Sequence, residues 1–184
     1  MRKIDTSLPG VLLIEPEVHR DVRGFFFESY HINRMRVLGI NNTFVQDNHS
    51  HSARGALRGL HYQVKHAQAK LCRVVRGEVL DIAVDIRRGS PTFGKWVGAV
   101  LSEENYRQIY IPAGFAHGFL VLSETADFLY KCSDFYHAES ERGILWNDPA
   151  IGIDWRSQEP PLLSVKDAAN PRLADVPEYD LPSL

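Results

Sequence analysis

A chain of 184 residues with 44% hydrophobic content can bury about two-thirds of its unfolded surface in one core without metal or disulfide staples. Lys plus Arg 21 against Asp plus Glu 23 leaves a formal net charge of -2, which excludes the global field of a nucleic-acid or membrane-surface binder, so any anion site must be local. Two cysteines, Cys72 and Cys132, are too few for a disulfide framework, no window approaches 18 consecutive apolar residues, and no apolar run of signal length follows Met1–Gly10. A cytoplasmic, non-membrane chain forming one domain over residues 1–184 is the expectation.

In chain order, Gly10 to Glu15 reads as a strand, Val18-His19-Arg20-Asp21 as a polar turn, and Arg23 to Tyr30, with its three consecutive phenylalanines, as a second strand. His31 to Gly39 places Ile32, Met35 and Leu38 at helical spacing and ends on glycine, which predicts a short helix. From residue 43 the pattern becomes short apolar or alternating runs over 43–51, 55–63, 70–76, 78–86, 93–101, 106–111, 117–121 and 125–133. Arg76-Gly77-Glu78 and the segment from Arg87 to Pro91 read as turns between them. Strands recurring at such spacing predict an all-β sandwich or barrel with its core at about 43–133. Within it, Leu80, Ile82, Val84 and Ile86 alternate with Asp81, Ala83 and Asp85, the pattern of one buried and one polar face. Beyond about residue 140 the chain turns proline-rich, with one short helix predicted at Ser164 to Ala169 and a tail that wraps the barrel.

The stretch from Arg54 to Gln63 sets His61 and two arginines, Arg54 and Arg58, into an apolar, glycine-punctuated strand. Charges in a sheet interior must be paired or face a ligand, since burying one uncompensated costs several kcal/mol. A second histidine, His117, follows the turn Pro112-Ala113-Gly114 on another apolar strand, a pattern that resembles the second motif of cupin barrels. A metal-binding cupin would carry His-x-His and a glutamate in its first motif, whereas this chain reads His61-Tyr62-Gln63, with residues unsuited to a first-row metal. Metal is therefore not expected; His49, His51 and His117 are the residual ligand set. Acid–base chemistry fits better, with His61 as base, Asp167 accepting its other ring proton, Lys70 holding an oxyanion and Tyr130 donating a proton. Arg23, Arg58 and Lys166 are candidate diphosphate contacts, and Gln46 and Asn48, two apart on one strand face, suit a base or sugar edge. The odd spacing of Arg58 and His61 requires a bulge near Gly59 if both line one site.

The segments Arg23–Glu28, Gln46–Ser50, Leu57–Gln63, Arg76–Glu78, Ser90–Gly94, Ile111–Phe119 and Glu141–Ile144, taken together and in order, closely resemble the dTDP-4-dehydrorhamnose 3,5-epimerases. That resemblance implies a cupin-like jelly-roll barrel with a few short peripheral helices, a homodimer, and no metal or organic cofactor. It implies epimerisation at C3 and C5 of dTDP-4-dehydro-6-deoxy-D-glucose in dTDP-L-rhamnose biosynthesis. Carried over by position, it makes His61 the proton acceptor, Tyr130 the proton donor and Asp167 the partner of His61, with Lys70 stabilising the enolate. Arg23, Glu28, Gln46, Asp47, Asn48, Arg58, His117, Glu141 and Lys166 become substrate contacts. One departure falls in Val64-Lys65-His66-Ala67-Gln68-Ala69-Lys70, where the family's usual proline and the glycine before the lysine are missing. The alternatives are a single-carbon epimerase of another dTDP-4-keto sugar, a metal-dependent cupin oxygenase, and a non-catalytic sugar-nucleotide binding barrel.

Overall fold

A computed structural model describes every residue, Met1–Leu184. Its strands are β1 (Arg2–Asp5), β2 (Leu12–Glu15), β3 (His19–Asp21), β4 (Gly24–Phe26), β5 (Gln46–Ala53), β6 (Leu57–Gln63), β7 (Lys70–Arg76), β8 (Glu78–Asp85), β9 (Trp96–Ser102), β10 (Gln108–Ile111), β11 (Phe115–Val121), β12 (Thr125–Cys132) and β13 (Glu141–Gly143). Two short α-helices, α1 (Ile32–Val37) and α2 (Val165–Ala168), complete the regular elements together with a few 3-10 turns. No helix is long and apolar enough to cross a membrane.

The strands form two facing antiparallel sheets, ordered β1-β2-β10-β7-β12-β5 and β13-β6-β11-β8-β9, plus the separate hairpin β3-β4. This is the expected cupin-like jelly roll. Between the sheets, Cys72, Val74, Ile109 and Phe128 of the six-stranded sheet pack against Val79, Ala83, Phe115 and Phe119 of the five-stranded one. The Phe119 and Phe128 rings stack across that interface with centroids 4.1 Å apart. Each Val, Ile or Phe among them contributes about 1.5–3 kcal/mol on leaving water.

Both outer faces are also covered. Met35 of α1 and Ile40 pack on Leu12, Ile14, Leu71 and Tyr110 outside the six-stranded sheet. Trp155, Leu173, Val176 and Leu181 of the C-terminal tail cover Leu57, Leu60, Leu80, Ile82 and Val84 outside the five-stranded sheet. The tail therefore does wrap the barrel, and its covering corrects one expectation: β8 has no solvent face. Its alternation is real, yet Asp81 and Asp85 point between the sheets and are fully buried. A sheet with packing on both faces hides its polar positions as completely as its apolar ones.

Asp85 shows how such a charge is kept. Its carboxylate accepts from Arg87 Nε at 2.9 Å and Nη2 at 2.7 Å, from Ser90 Oγ at 2.5 Å and from Thr92 Oγ1 at 2.6 Å. Burial alone would raise its pKa, but these donors outweigh burial and hold it well below the usual carboxylate range. A depressed folded-state pKa means that this stabilisation is fully present above about pH 4 and is lost as pH falls through the acid range. Asp85→Ala should cost about 3 kcal/mol, because it strands the Arg87 guanidinium beside the hydroxyls of buried Ser90 and half-buried Thr92. Urea unfolding at pH 7 and pH 3 checks this: the gap between wild type and variant should shrink at the lower pH.

The first thirty residues also differ from the sequence reading. The polar segment before Arg23 is strand β3 rather than a turn, and the expected long strand over Arg23 to Tyr30 is only β4. Together they make a hairpin that leaves Val22, Phe25 and Phe26 exposed. Neither β1 nor β13 has enough apolar alternation to mark it in the sequence. Each forms by adding to an existing edge, β1 on β2 and β13 on β6.

Candidate active site

The site begins at the pairing of β6 with β11. His61 lies opposite His117, but Arg58 lies opposite Phe119, so three residues of β6 span two of β11. That bulge resolves the spacing conflict, and Arg58 and His61 line one cavity. Gly59 sits inside it at φ +133°, where an added Cβ would meet Gly118 Cα at 2.6 Å and the His117 carbonyl oxygen at 2.9 Å. Only a residue without a side chain lets the two backbones approach this closely.

The cavity holds about 500 Å³ and is built from both sheets and the tail. The five-stranded sheet supplies Arg58, His61, His117 and, from β13, Glu141, while the six-stranded sheet supplies Lys70 and Tyr130. Lys166 and Asp167 arrive on α2, which Ser164 caps by accepting the Asp167 backbone N–H at 3.0 Å. An adjoining space of about 300 Å³ shares His61, Lys70, Tyr130 and Glu141 and adds Gln46 and Asn48 from β5. Gln46 Nε2 donates to Asn48 Oδ1 at 3.0 Å, as two residues on one strand face can.

His61 Nε2 is 2.5 Å from Asp167 Oδ1. Asp167 is 4% exposed, and burial by itself would raise its pKa. The hydrogen bond and charge of His61, with Ser164 and the Gly59 backbone, overcome that cost and hold the carboxyl below its ordinary value. An ionised Asp167 fixes the tautomer of His61: Nε2 carries the shared proton and Nδ1 keeps its lone pair.

Burial lowers the pKa of His117 despite the opposing pull of Asp81, its hydrogen-bond partner at 3.0 Å, so this ring is held neutral at pH 7. Cys72 lies behind it, 4.0 Å from Nε2, and burial pushes that thiol up, away from the thiolate. Tyr130 is pushed up to about 12, first by burial and then by neighbouring Cys132 and Cys72, so its hydroxyl stays protonated. Lys70 Nζ stands 5.9 Å from the centre of the Tyr130 ring. The cavity thus sets a carboxylate-bound histidine on one wall against a protonated phenol and an ammonium on the other.

Eight of the thirteen sequence-derived candidates line the main cavity, and Gln46 and Asn48 line its extension. Three do not reach it. Arg23 stands on the β3-β4 hairpin with its side chain 86% exposed and paired to Asp21, Glu28 pairs with Arg34 at 3.2 Å, and Asp47 faces outward to Lys131 at 2.8 Å. The residual metal set is not assembled either: His49 and His51 both turn outward to Asp127, whereas His117 turns inward to Asp81. Sequence reading missed Tyr136, whose backbone N–H donates to Gln46 Oε1 at 2.9 Å and whose hydroxyl donates to Glu141 Oε2 at 2.8 Å. Lys166 Nζ meets the same Glu141 oxygen. Two neighbouring exposed aromatics, Phe135 and Tyr136, in a polar loop were the available signal for it. The role of Asp81 was legible only as an acid inside an apolar strand.

Comparison with known proteins agrees with this architecture. A family model described as dTDP-4-dehydrorhamnose 3,5-epimerase matches residues 5–175. The chain is 59% identical over 176 residues to a dTDP-4-dehydrorhamnose 3,5-epimerase of Pseudomonas aeruginosa, covering 95% of this chain and 97% of that protein. A crystal structure of a dTDP-6-deoxy-D-glucose-3,5-epimerase from Legionella pneumophila, in complex with dTDP-4-keto-L-rhamnose, aligns at TM-score 0.97 and 53% identity over 100% of this chain and 98% of that one. A 3'-monoepimerase from Streptomyces bikiniensis in complex with dTDP-quinovose aligns at TM-score 0.91 and 37% identity, over 97% of this chain and 91% of that one.

Proposed function

The chain belongs to the dTDP-4-dehydrorhamnose 3,5-epimerase family, and from that premise we infer how its own residues carry the reaction. It is an isomerase that epimerises C3 and C5 of dTDP-4-dehydro-6-deoxy-D-glucose to give dTDP-4-dehydro-L-rhamnose, a step of dTDP-L-rhamnose biosynthesis. The observation carrying the assignment of roles is that His61, bound to Asp167 of the tail, and Tyr130 come from facing sheets and line one cavity.

A proton on C3 or C5 is acidic because the electron pair left behind is shared with the C4 ketone oxygen. In our reading His61 Nδ1 takes that proton, and Asp167 stabilises the imidazolium that forms. The C–H electrons become the enolate double bond and the carbonyl electrons move to oxygen, where Lys70 offsets the negative charge. Tyr130 then gives its proton to the carbon from the opposite face, which inverts the centre. Proton exchange with solvent resets both residues. Because C3 and C5 flank the same carbonyl, one base and one acid serve both centres as the ring shifts.

Arg58 and Lys166 would bind diphosphate oxygens, with Gln46, Asn48 and the Tyr136 ring offering polar and aromatic contacts for the nucleotide base. Residues 1–184 act as one domain in this proposal, since the tail that covers the five-stranded sheet also brings Lys166 and Asp167 to His61. It also takes the active form to be a cytoplasmic homodimer. Arg23 and Glu28 lie near a hairpin whose Phe25 and Phe26 are exposed, an arrangement suited to contacting a second copy. A monomeric mass by light scattering would remove that part.

The test is epimerisation in D2O. Product NMR should show inversion and one solvent deuteron at each of C3 and C5. Exchange at only one carbon would make this chain a single-carbon epimerase.

A further inference from the structure

We propose that the chain carries a divalent transition-metal site outside the catalytic cavity, formed by His66, Asp134 and His137 with water as a fourth donor. The donor atoms of His66, Asp134 and His137 all lie within 4.8 Å of one another. His66 Nδ1 is 3.4 Å from Asp134 Oδ2, and His137 Nδ1 is 3.3 Å from Glu139 Oε1. The two imidazoles stack at 4.0 Å between centroids with their planes 18° apart, so their in-plane nitrogen lone pairs run nearly parallel and the rings must swing apart to share one ion. Ligand atoms around a tetrahedral zinc ion stand about 3.3–3.6 Å apart, so closing the set takes rotamer changes that unstack the exposed His66 and half-buried His137 rings. Two imidazoles and one carboxylate suit Zn²⁺ and its neighbours in the first transition row, whereas Mg²⁺ and Ca²⁺ prefer all-oxygen sites.

The backbone carrying these ligands is already fixed, which distinguishes the cluster from a chance grouping of surface charges. Gln63 is 6% exposed and spans both loops. Its Nε2 donates to the His66 carbonyl at 2.7 Å and the Phe135 carbonyl at 3.1 Å, and its Oε1 accepts from His137 N–H at 2.6 Å. Gln68 Nε2 donates to the Asp134 carbonyl at 2.8 Å. These bonds hold the backbone of both loops, so an ion has only side chains to reorient.

Position gives the site a consequence. His66 lies in the loop that leads from β6 to Lys70, and Tyr136 sits between Asp134 and His137 in the loop that follows β12. A bound ion would tie these two loops together beside the cavity, restraining Tyr136 and the approach to Lys70.

The test uses the full chain freed of metal by a chelator and titrated calorimetrically with Zn²⁺, with Co²⁺ absorption as a second probe. One Zn²⁺ should bind per chain, the thermal midpoint should rise with it, and Co²⁺ should give a tetrahedral spectrum. His66→Ala and His137→Ala should each weaken binding by at least about tenfold and remove the thermal shift. Both should still epimerise without metal, which shows that they fold. Replacement of His49 and His51 by alanine should leave binding unchanged. Undiminished Zn²⁺ affinity in the His66→Ala/His137→Ala double variant would overturn the assignment, as would a wild-type chain with no saturable binding below about 100 µM.

Discussion

His61→Ala should lower epimerisation by about 10²–10⁴-fold and abolish incorporation of solvent deuterium at both C3 and C5. The double loss is the informative part. If one ring serves both carbons, its removal stops both exchanges, whereas separate bases would leave one running. His61 is the only histidine of the cavity paired to an ionised carboxylate that itself comes from the tail; His117 is bound to Asp81 and held neutral by burial. The variant leaves Asp167 buried without its strongest donor, so a stability loss of about 1–3 kcal/mol accompanies the catalytic one. Circular dichroism and a thermal scan separate the two, and the measurement is made well below the variant's midpoint. A folded His61→Ala protein that epimerises at the wild-type rate would remove the base assignment.

Tyr130→Phe should separate the two halves of the reaction. The ring remains, with its contact to Phe128 at 5.9 Å between centroids and its place beside Lys70, while the only lost group is the hydroxyl. Proton removal by His61 should continue, visible as deuterium entering substrate with retained configuration. Inversion should fall by about 10²–10⁴-fold. The raised pKa of this phenol keeps it a proton donor across the neutral range, so the wild-type rate should show no limb from its ionisation between pH 6 and 9. Equal loss of exchange and inversion would mean that Tyr130 supports binding or the enolate rather than delivering the second proton.

These two outcomes depend on a feature that no spacing argument contains: the opposition of the sheets. Alternation within β6 and β12 says which residues share a face of one strand, and it correctly pairs Tyr130 with Phe128 and Gln46 with Asn48. It says nothing about which strands face each other. The order β13-β6-β11-β8-β9 against β1-β2-β10-β7-β12-β5 is what sets His61 and Tyr130 on opposite walls. Long-range pairing also explains the error at β8. Asp81 and Asp85 looked solvent-facing because nothing local announces that Phe128 and its neighbours lie over them, or that the tail covers the other side.

By itself the sequence determined the all-β class, the covering role of the tail, and the inventory of chemistry. An imidazole, a phenol, an ammonium and a carboxylate are written there as residue types, and their order along the chain carries the family resemblance. Tertiary structure alone decided which of them meet. It brought Asp167 to His61 from 106 residues away, absorbed the odd spacing of Arg58 in a bulge at Gly59, and left Arg23, Glu28 and Asp47 outside the cavity of a single chain. The physical reason is the same each time. Strand periodicity is a local property of the backbone, whereas burial, pKa and proton transfer depend on neighbours that only chain closure supplies.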